Sequence, residues 1–164
     1  MSSLKCFHCG RRWGQSENSF LFIEWGERVK LQVCPECRKP ICQVCMKRYG
    51  ECPHCAFLRR EQRAKEISAI LQDMRVYSKN YAGRIPLDMA VPQQEFKLWD
   101  WYDTREEALD ALKYNVASSD LNLIYELQYL RDTEEDETEG GGTYYHTVWS
   151  CKCMAGRYKE KKKQ

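Results

Sequence analysis

Histidine is scarce in this 164-residue chain, with three in all, and it contains no Ser/His/Asp grouping, phosphate-cradling glycine loop or histidine-carboxylate metal pattern. Triad hydrolysis, P-loop phosphate chemistry and histidine-zinc proteolysis are therefore not expected, and the chain reads as non-catalytic. Long apolar runs are missing too. No uninterrupted stretch approaches the roughly 18 residues that a spanning helix needs, and the opening Met1-Ser-Ser-Leu-Lys-Cys6 holds no apolar leader. The expectation is a soluble intracellular protein without a membrane partner, cytoplasmic or, in a eukaryote, nuclear, where thiols stay reduced. Aliphatic residues are thin over residues 1–55. A unit of that size rarely buries enough apolar surface to fold without metal or disulfides.

Cysteine fills that gap. Eight of the ten cysteines fall in four Cys-x-x-Cys pairs, Cys6/Cys9, Cys34/Cys37, Cys42/Cys45 and Cys52/Cys55. Each such turn presents two thiolates along one edge of a tetrahedron, so two turns close a four-coordinate site with no position open to substrate. These eight residues are read as the ligands of two Zn²⁺ ions per chain, each contributing about 10 to 16 kcal/mol to folding. Two pairings remain open. Sequential pairing makes two independent zinc ribbons, whereas joining the first pair to the third and the second to the fourth makes an interleaved module. Only Arg38-Lys-Pro-Ile41 separates the second and third pairs, which favours interleaving, while the 24-residue first gap can hold a β-hairpin.

The order Cys-x2-Cys, x24, Cys-x2-Cys, x4, Cys-x2-Cys, x6, Cys-x2-Cys resembles the RING and FYVE group of treble-clef cross-brace fingers. The likeness covers residues 6–55 and is carried by Cys34-Pro-Glu-Cys-Arg-Lys-Pro-Ile-Cys-Gln-Val-Cys45 and the closing Cys52-Pro-His-Cys55. It implies zinc as cofactor and a binding platform as role, with a RING-type ubiquitin ligase as the enzymatic alternative. Ligases of that group use an apolar residue just before the second ligand, often a Trp between the sixth and seventh, and a basic residue after the eighth. Here those positions hold His8, Met46-Lys-Arg-Tyr-Gly-Glu51 and Ala56, while Pro53 after the seventh ligand fits. Leu31-Gln-Val-Cys34 does not supply the basic lipid-binding motif of the FYVE members.

Formal net charge is +2, but two four-thiolate Zn²⁺ sites carry −4 between them, so the loaded chain would sit near −2. The positive charge gathers at the front, where residues 1–65 hold thirteen Lys or Arg against six Glu. Arg11, Arg12, Arg38, Lys39, Lys47, Arg48, Arg59, Arg60 and Arg63 are the candidate partner-binding residues. Beside Trp13, Trp25 and Tyr49 they suit phosphate contacts and stacking on unpaired bases. They equally suit a reading in which arginines cover a helix face and the aromatics pack a small zinc core.

Residues 56–78 are read as an amphipathic helix leaving the zinc module, with Ile67, Ile70, Leu71 and Met74 at i, i+3, i+4 and i+7. That stripe would contact the C-terminal module or another copy of the chain. Residues 79–94, with Gly83, Pro86 and Pro92, read as a linker. Residues 95–156 then read as strand (95–102), helix (105–117) and a hairpin of 121–130 with 143–154 across an acidic, glycine-rich loop at 132–142. Thr104 stands at capping-box spacing from Glu107, with Ala108, Leu109, Leu112 and Val116 on the inner helix face. Cys151 and Cys153 share one face of their strand and read as core thiols. Residues 157–164 form a basic tail.

The expected fold class is α+β: a small two-zinc module with all-cysteine sites, a linking amphipathic helix, and a small antiparallel sheet with one covering helix. The expected function is that of a zinc-binding adaptor that recognises a macromolecular partner, protein ahead of nucleic acid, within a larger assembly. A RING-type ligase and a nucleic-acid-binding zinc-ribbon protein are the alternatives.

Overall fold

The computed structural model describes residues 5–14, 16–20, 23–137 and 140–159. The side chain of Trp25 and the tail residues 160–164 lie outside the described residues. Strands and helices are mixed, an α+β arrangement, and the chain divides into two units, Met1–Ala64 and Lys65–Gln164.

In the first unit, β1 (Ser16–Phe20) and β2 (Ile23–Arg28) form an antiparallel hairpin inside the long gap between the first two cysteine pairs. A second hairpin joins β3 (Leu31–Val33) to β4 (Pro40–Cys42) and leads directly into α1 (Gln43–Tyr49). Helix α1 begins where Cys42 stays extended and its sulfur accepts the Cys45 N–H; it ends where Gly50, at φ 70°, returns its N–H to the Met46 carbonyl. Glycine enters that left-handed conformation without a Cβ penalty. Helix α2 (Pro53–Gln72) follows after three residues. The buried cluster here consists of six cysteines with Val29 and Ile41, so its interior is largely sulfur.

The second unit is built on a four-stranded sheet. Its order is β5 (Arg75–Ser78), β7 (Leu123–Glu137), β8 (Thr143–Gly156), β6 (Gln94–Lys97), with α3 (Arg105–Ser118) packed on β6, β7 and β8. The expected capping box is present: Thr104 Oγ accepts the Glu107 N–H and Glu107 Oε2 accepts the Thr104 N–H, each at 3.2 Å. Below it, Ala108, Leu112 and Val116 are fully buried against Leu121, Ile124, Leu127, Cys151 and Ala155.

Four expectations need correction. The helix expected over 56–78 starts at Pro53 and stops at Gln72, because Met74 N–H turns back to the Leu71 carbonyl and the β-former Val76 pairs with Ile124 of β7. That pairing is parallel, so the sheet is mixed where an antiparallel one was expected. The long connection through β6 and α3 is what permits a parallel neighbour. The strand expected over 95–102 leaves the ladder after Lys97, and residues 99–101 bow outward. Finally, the acids at 132–137 are strand and not loop: Asp132 pairs with Val148 and Glu137 with Thr143. Their partners Thr143, Tyr144, Tyr145 and Thr147 favour strands, and the carboxylates stay solvated.

The second unit also confines the remaining thiols. Cys151 is fully buried with its S–H aimed at the Ala108 carbonyl, 3.3 Å away, and Cys153 lies in the same cluster. Burial pushes the two thiols up to about 11 and about 12. They should stay protonated and shielded at neutral pH. Maleimide labelling with chelator present should therefore modify eight cysteines per chain, and ten only after denaturation, as read by intact mass; ten labels without denaturant would contradict this core.

Candidate functional site

Two groups of four cysteines form in the first unit: Cys6, Cys9, Cys42 and Cys45 in one, Cys34, Cys37, Cys52 and Cys55 in the other. Within each group all Sγ atoms lie within 4.8 Å of one another. First and third pairs thus share a site, as do second and fourth, which is the interleaved arrangement. Its local cause is the β3–β4 hairpin. The second pair sits on the hairpin turn and the third at the far end of β4, about 10 Å along an extended three-residue strand. Neighbours in sequence are therefore held apart in space.

Each group combines one cysteine turn with one helix start. In the turns, Gly10 N–H bonds the Cys6 carbonyl at 2.9 Å and Arg38 N–H bonds the Cys34 carbonyl at 2.9 Å. The residue after each second cysteine adopts positive φ, 74° at Gly10 and 56° at Arg38. At the helix starts, Cys42 caps α1, and Cys52 immediately precedes the first residue of α2. Peptide N–H groups and the positive helix end there face sulfur. The halves of the first site are joined by Phe7 N–H to the Pro40 carbonyl at 2.8 Å and Cys42 N–H to Cys6 Sγ at 3.3 Å.

Geometry and charge both point to a cation at each centre. Sulfur separations are 3.6 Å for Cys9–Cys42 and Cys34–Cys55 and 3.7 Å for Cys37–Cys52. A tetrahedron with metal–sulfur bonds of about 2.3 Å has edges of about 3.8 Å, whereas a disulfide needs about 2.05 Å. Burial raises the Cys6 thiol, but N–H groups of Cys9, Cys42 and His8 outweigh it and bring it down to about 7. Cys34 also falls to about 7, chiefly through the Cys37 N–H. Burial and neighbouring thiols drive Cys45 and Cys55 upward, because four adjacent sulfurs cannot ionise together without a positive charge between them. Each group can therefore hold one metal ion.

The basic residues named from sequence meet different fates. Arg59 is held by the Glu36 carboxylate at 3.1 Å and by Glu51, tying the Cys34–Cys37 turn to the approach to α2. That contact and the nearby Cys55 thiol lower the Glu36 pKa, with Cys55 the larger cause. Lys39 lies 3.6 Å above the Phe7 ring and donates to His54 Nε2 at 2.9 Å, and Arg48 lies over Tyr49. Arg12, Arg38, Lys47, Arg48 and Arg60 are exposed, while Arg11, Lys39 and Arg63 are half-buried.

A groove that the sequence did not reveal lies beside the centres. It holds about 460 Å³ and is lined by Phe7, His8, Tyr49, Pro53, His54 and Phe57, together with the charged Glu51 and Arg60. Phe7 and Phe57 are 53% and 57% exposed, a high value for rings this close to a buried cluster. The signal available in sequence was an aromatic directly after the first ligand and another two residues after the last. Among the described residues no helix is long and apolar enough to cross a membrane. No protein-family profile, curated protein or solved structure matches this chain.

Proposed function

We propose that this chain is a zinc-stabilised adaptor that uses the Phe7/Tyr49/Phe57 groove of its first unit to hold a protein partner. The observation that carries this is the groove, in which aromatic rings stand exposed on a surface built by the two cysteine centres. Exposed aromatics accompanied by charges of both signs are a usual composition of protein recognition sites. Zn²⁺ suits four thiolates in a closed tetrahedral site, where it would serve as a structural cross-link. A protein partner is favoured over nucleic acid because three of the cations are already engaged, Arg59 by carboxylates and Lys39 and Arg48 by rings, and Glu51 sits within the groove lining.

The test is affinity purification of the tagged chain from its native lysate, with and without nuclease, beside a Phe57→Ala variant and with metal analysis of both. The expected result is two zinc ions per chain in each, with nuclease-resistant partners lost from the variant. Partners that vanish with nuclease, or that survive Phe57→Ala, would overturn it. The ligase reading has one observation in its favour: His8, Tyr49, Pro53 and Ala56, at or near the positions that RING-type ligases use, all line this one groove. A conjugating enzyme among the retained partners, discharged by the wild-type chain but not by Phe57→Ala, would give the adaptor that activity.

A further inference from the structure

The second unit carries an aromatic platform of its own. After β6 the chain bows out over residues 99–101 and returns, and both ends of the bow are fastened to β8. Leu98 N–H bonds the Cys151 carbonyl at 3.0 Å, while Tyr102 and Trp149 exchange N–H···O bonds of 2.8 and 2.7 Å. Leu98 is buried beneath it. This fastening holds Trp99 out with 85% of its surface exposed, next to Tyr114 of α3 at 55%. An indole displayed that openly on a pinned backbone gains nothing for folding from its apolar surface.

Trp99 and Tyr114 line a groove of about 350 Å³ together with Lys97, Tyr102 and Asn115. Asp100 also lines it, so one carboxylate balances the single ammonium and no positive field is present to gather phosphates. Hydrogen-bond character narrows the occupant further. The Trp99 indole N–H, the Tyr114 hydroxyl and the Asn115 amide can all donate, and none of the three has a protein partner among the described residues. Lys97 Nζ lies 5.3 Å from the centroid of the Trp99 ring, over one of its faces, so the lining offers the other face of that indole, the Tyr114 ring and spare donors.

We propose that the Trp99/Tyr114 groove binds a proline-rich segment of a partner protein in the polyproline II conformation. Such a segment has apolar rings to stack, carbonyls that lack internal hydrogen bonds, and few N–H groups competing as donors. The groove accommodates about one three-residue turn of that helix. The site lies wholly in the second unit and is independent of the metal centres and of the function proposed for them.

The test titrates the whole zinc-loaded chain by calorimetry with a panel of short proline-rich peptides carrying arginine, glutamate or neutral flanks. Proline-to-alanine counterparts and oligo(dT) serve as comparisons. Saturable binding of at least one proline-rich peptide and not of its alanine counterpart is expected. Trp99→Ala and Tyr114→Ala should each weaken it about tenfold or more, as loss of an aromatic anchor does. Trp13→Ala, in the other unit, should leave it unchanged. Circular dichroism should show both second-unit variants folded, since the two side chains are mostly exposed. Absence of saturable binding across the panel, affinity that survives Trp99→Ala, or preference for oligo(dT) would overturn the proposal.

Discussion

Cys42→Ser should unfold residues 5–64 and reduce the zinc content of the chain from two ions to at most one, while the second unit stays folded. Cys42 has four duties at once. It is a member of the first cysteine group, the last residue of β4, the N-cap of α1, and the donor of an N–H to Cys6 Sγ. A structural zinc site contributes about 10 to 16 kcal/mol. Against that, among its described residues the unit fully buries two aliphatic side chains, Val29 and Ile41, each contributing about 1.5 to 3 kcal/mol. Those two burials do not offset the loss. Because β4 and α1 lie between the two halves of the second group, the second ion should be weakened as well. Native mass spectrometry gives the zinc count, and amide chemical shifts report the fold of each unit. Retention of both ions would refute Cys42 as a ligand.

Leu112→Ala is the complementary experiment and should damage only the other unit. Leu112 lies at the middle of the inner face of α3, fully buried among Ala108, Val116, Ile124, Leu127 and Cys151. Truncating such a leucine costs about 2 to 5 kcal/mol, because the removed methyl groups lose their burial and a cavity remains. The whole unit, at about 0.05 to 0.15 kcal/mol per residue, is worth roughly 5 to 15 kcal/mol. Its melting temperature should fall by more than about 10 °C in calorimetry. Zinc stoichiometry should remain two. A melting shift within a degree or two of wild type would mean that α3 does not organise this core.

The ligands were legible in sequence because Cys-x-x-Cys is a local pattern: two thiols three residues apart reach one ion whatever the rest of the chain does. The start of α3 was legible for the same reason, since Thr104 and Glu107 satisfy each other's backbone N–H groups within a single turn. The pairing of sites was only hinted at by Arg38-Lys-Pro-Ile41, because it depends on a hairpin that separates neighbours in sequence. Strand β5 was hidden by the helical spacing that runs on through Met74, and its partner Leu123 lies far along the chain. The acidic stretch at 132–137 looked like a turn by composition. It is strand because its opposite number, from Thr143 to Val148, supplies the pairing. The Phe7/Phe57 and Trp99/Tyr114 grooves were invisible for a simpler reason. Exposure of an aromatic is a property of the folded surface, and no periodicity records it.

The interleaving of the two cysteine groups makes the front of the chain behave as a knotted strap. The first site clasps residues 6–9 to 42–45 and the second clasps 34–37 to 52–55, so the two spans overlap. With both clasps closed, a single protease nick anywhere between Cys9 and Cys52 leaves two pieces still fastened together by at least one ion. Between Cys37 and Cys42 two ions hold them. Sequential clasps would have parted at that point. A nicked head thus travels as one body for as long as it keeps its metal, and falls apart only when the metal is withdrawn.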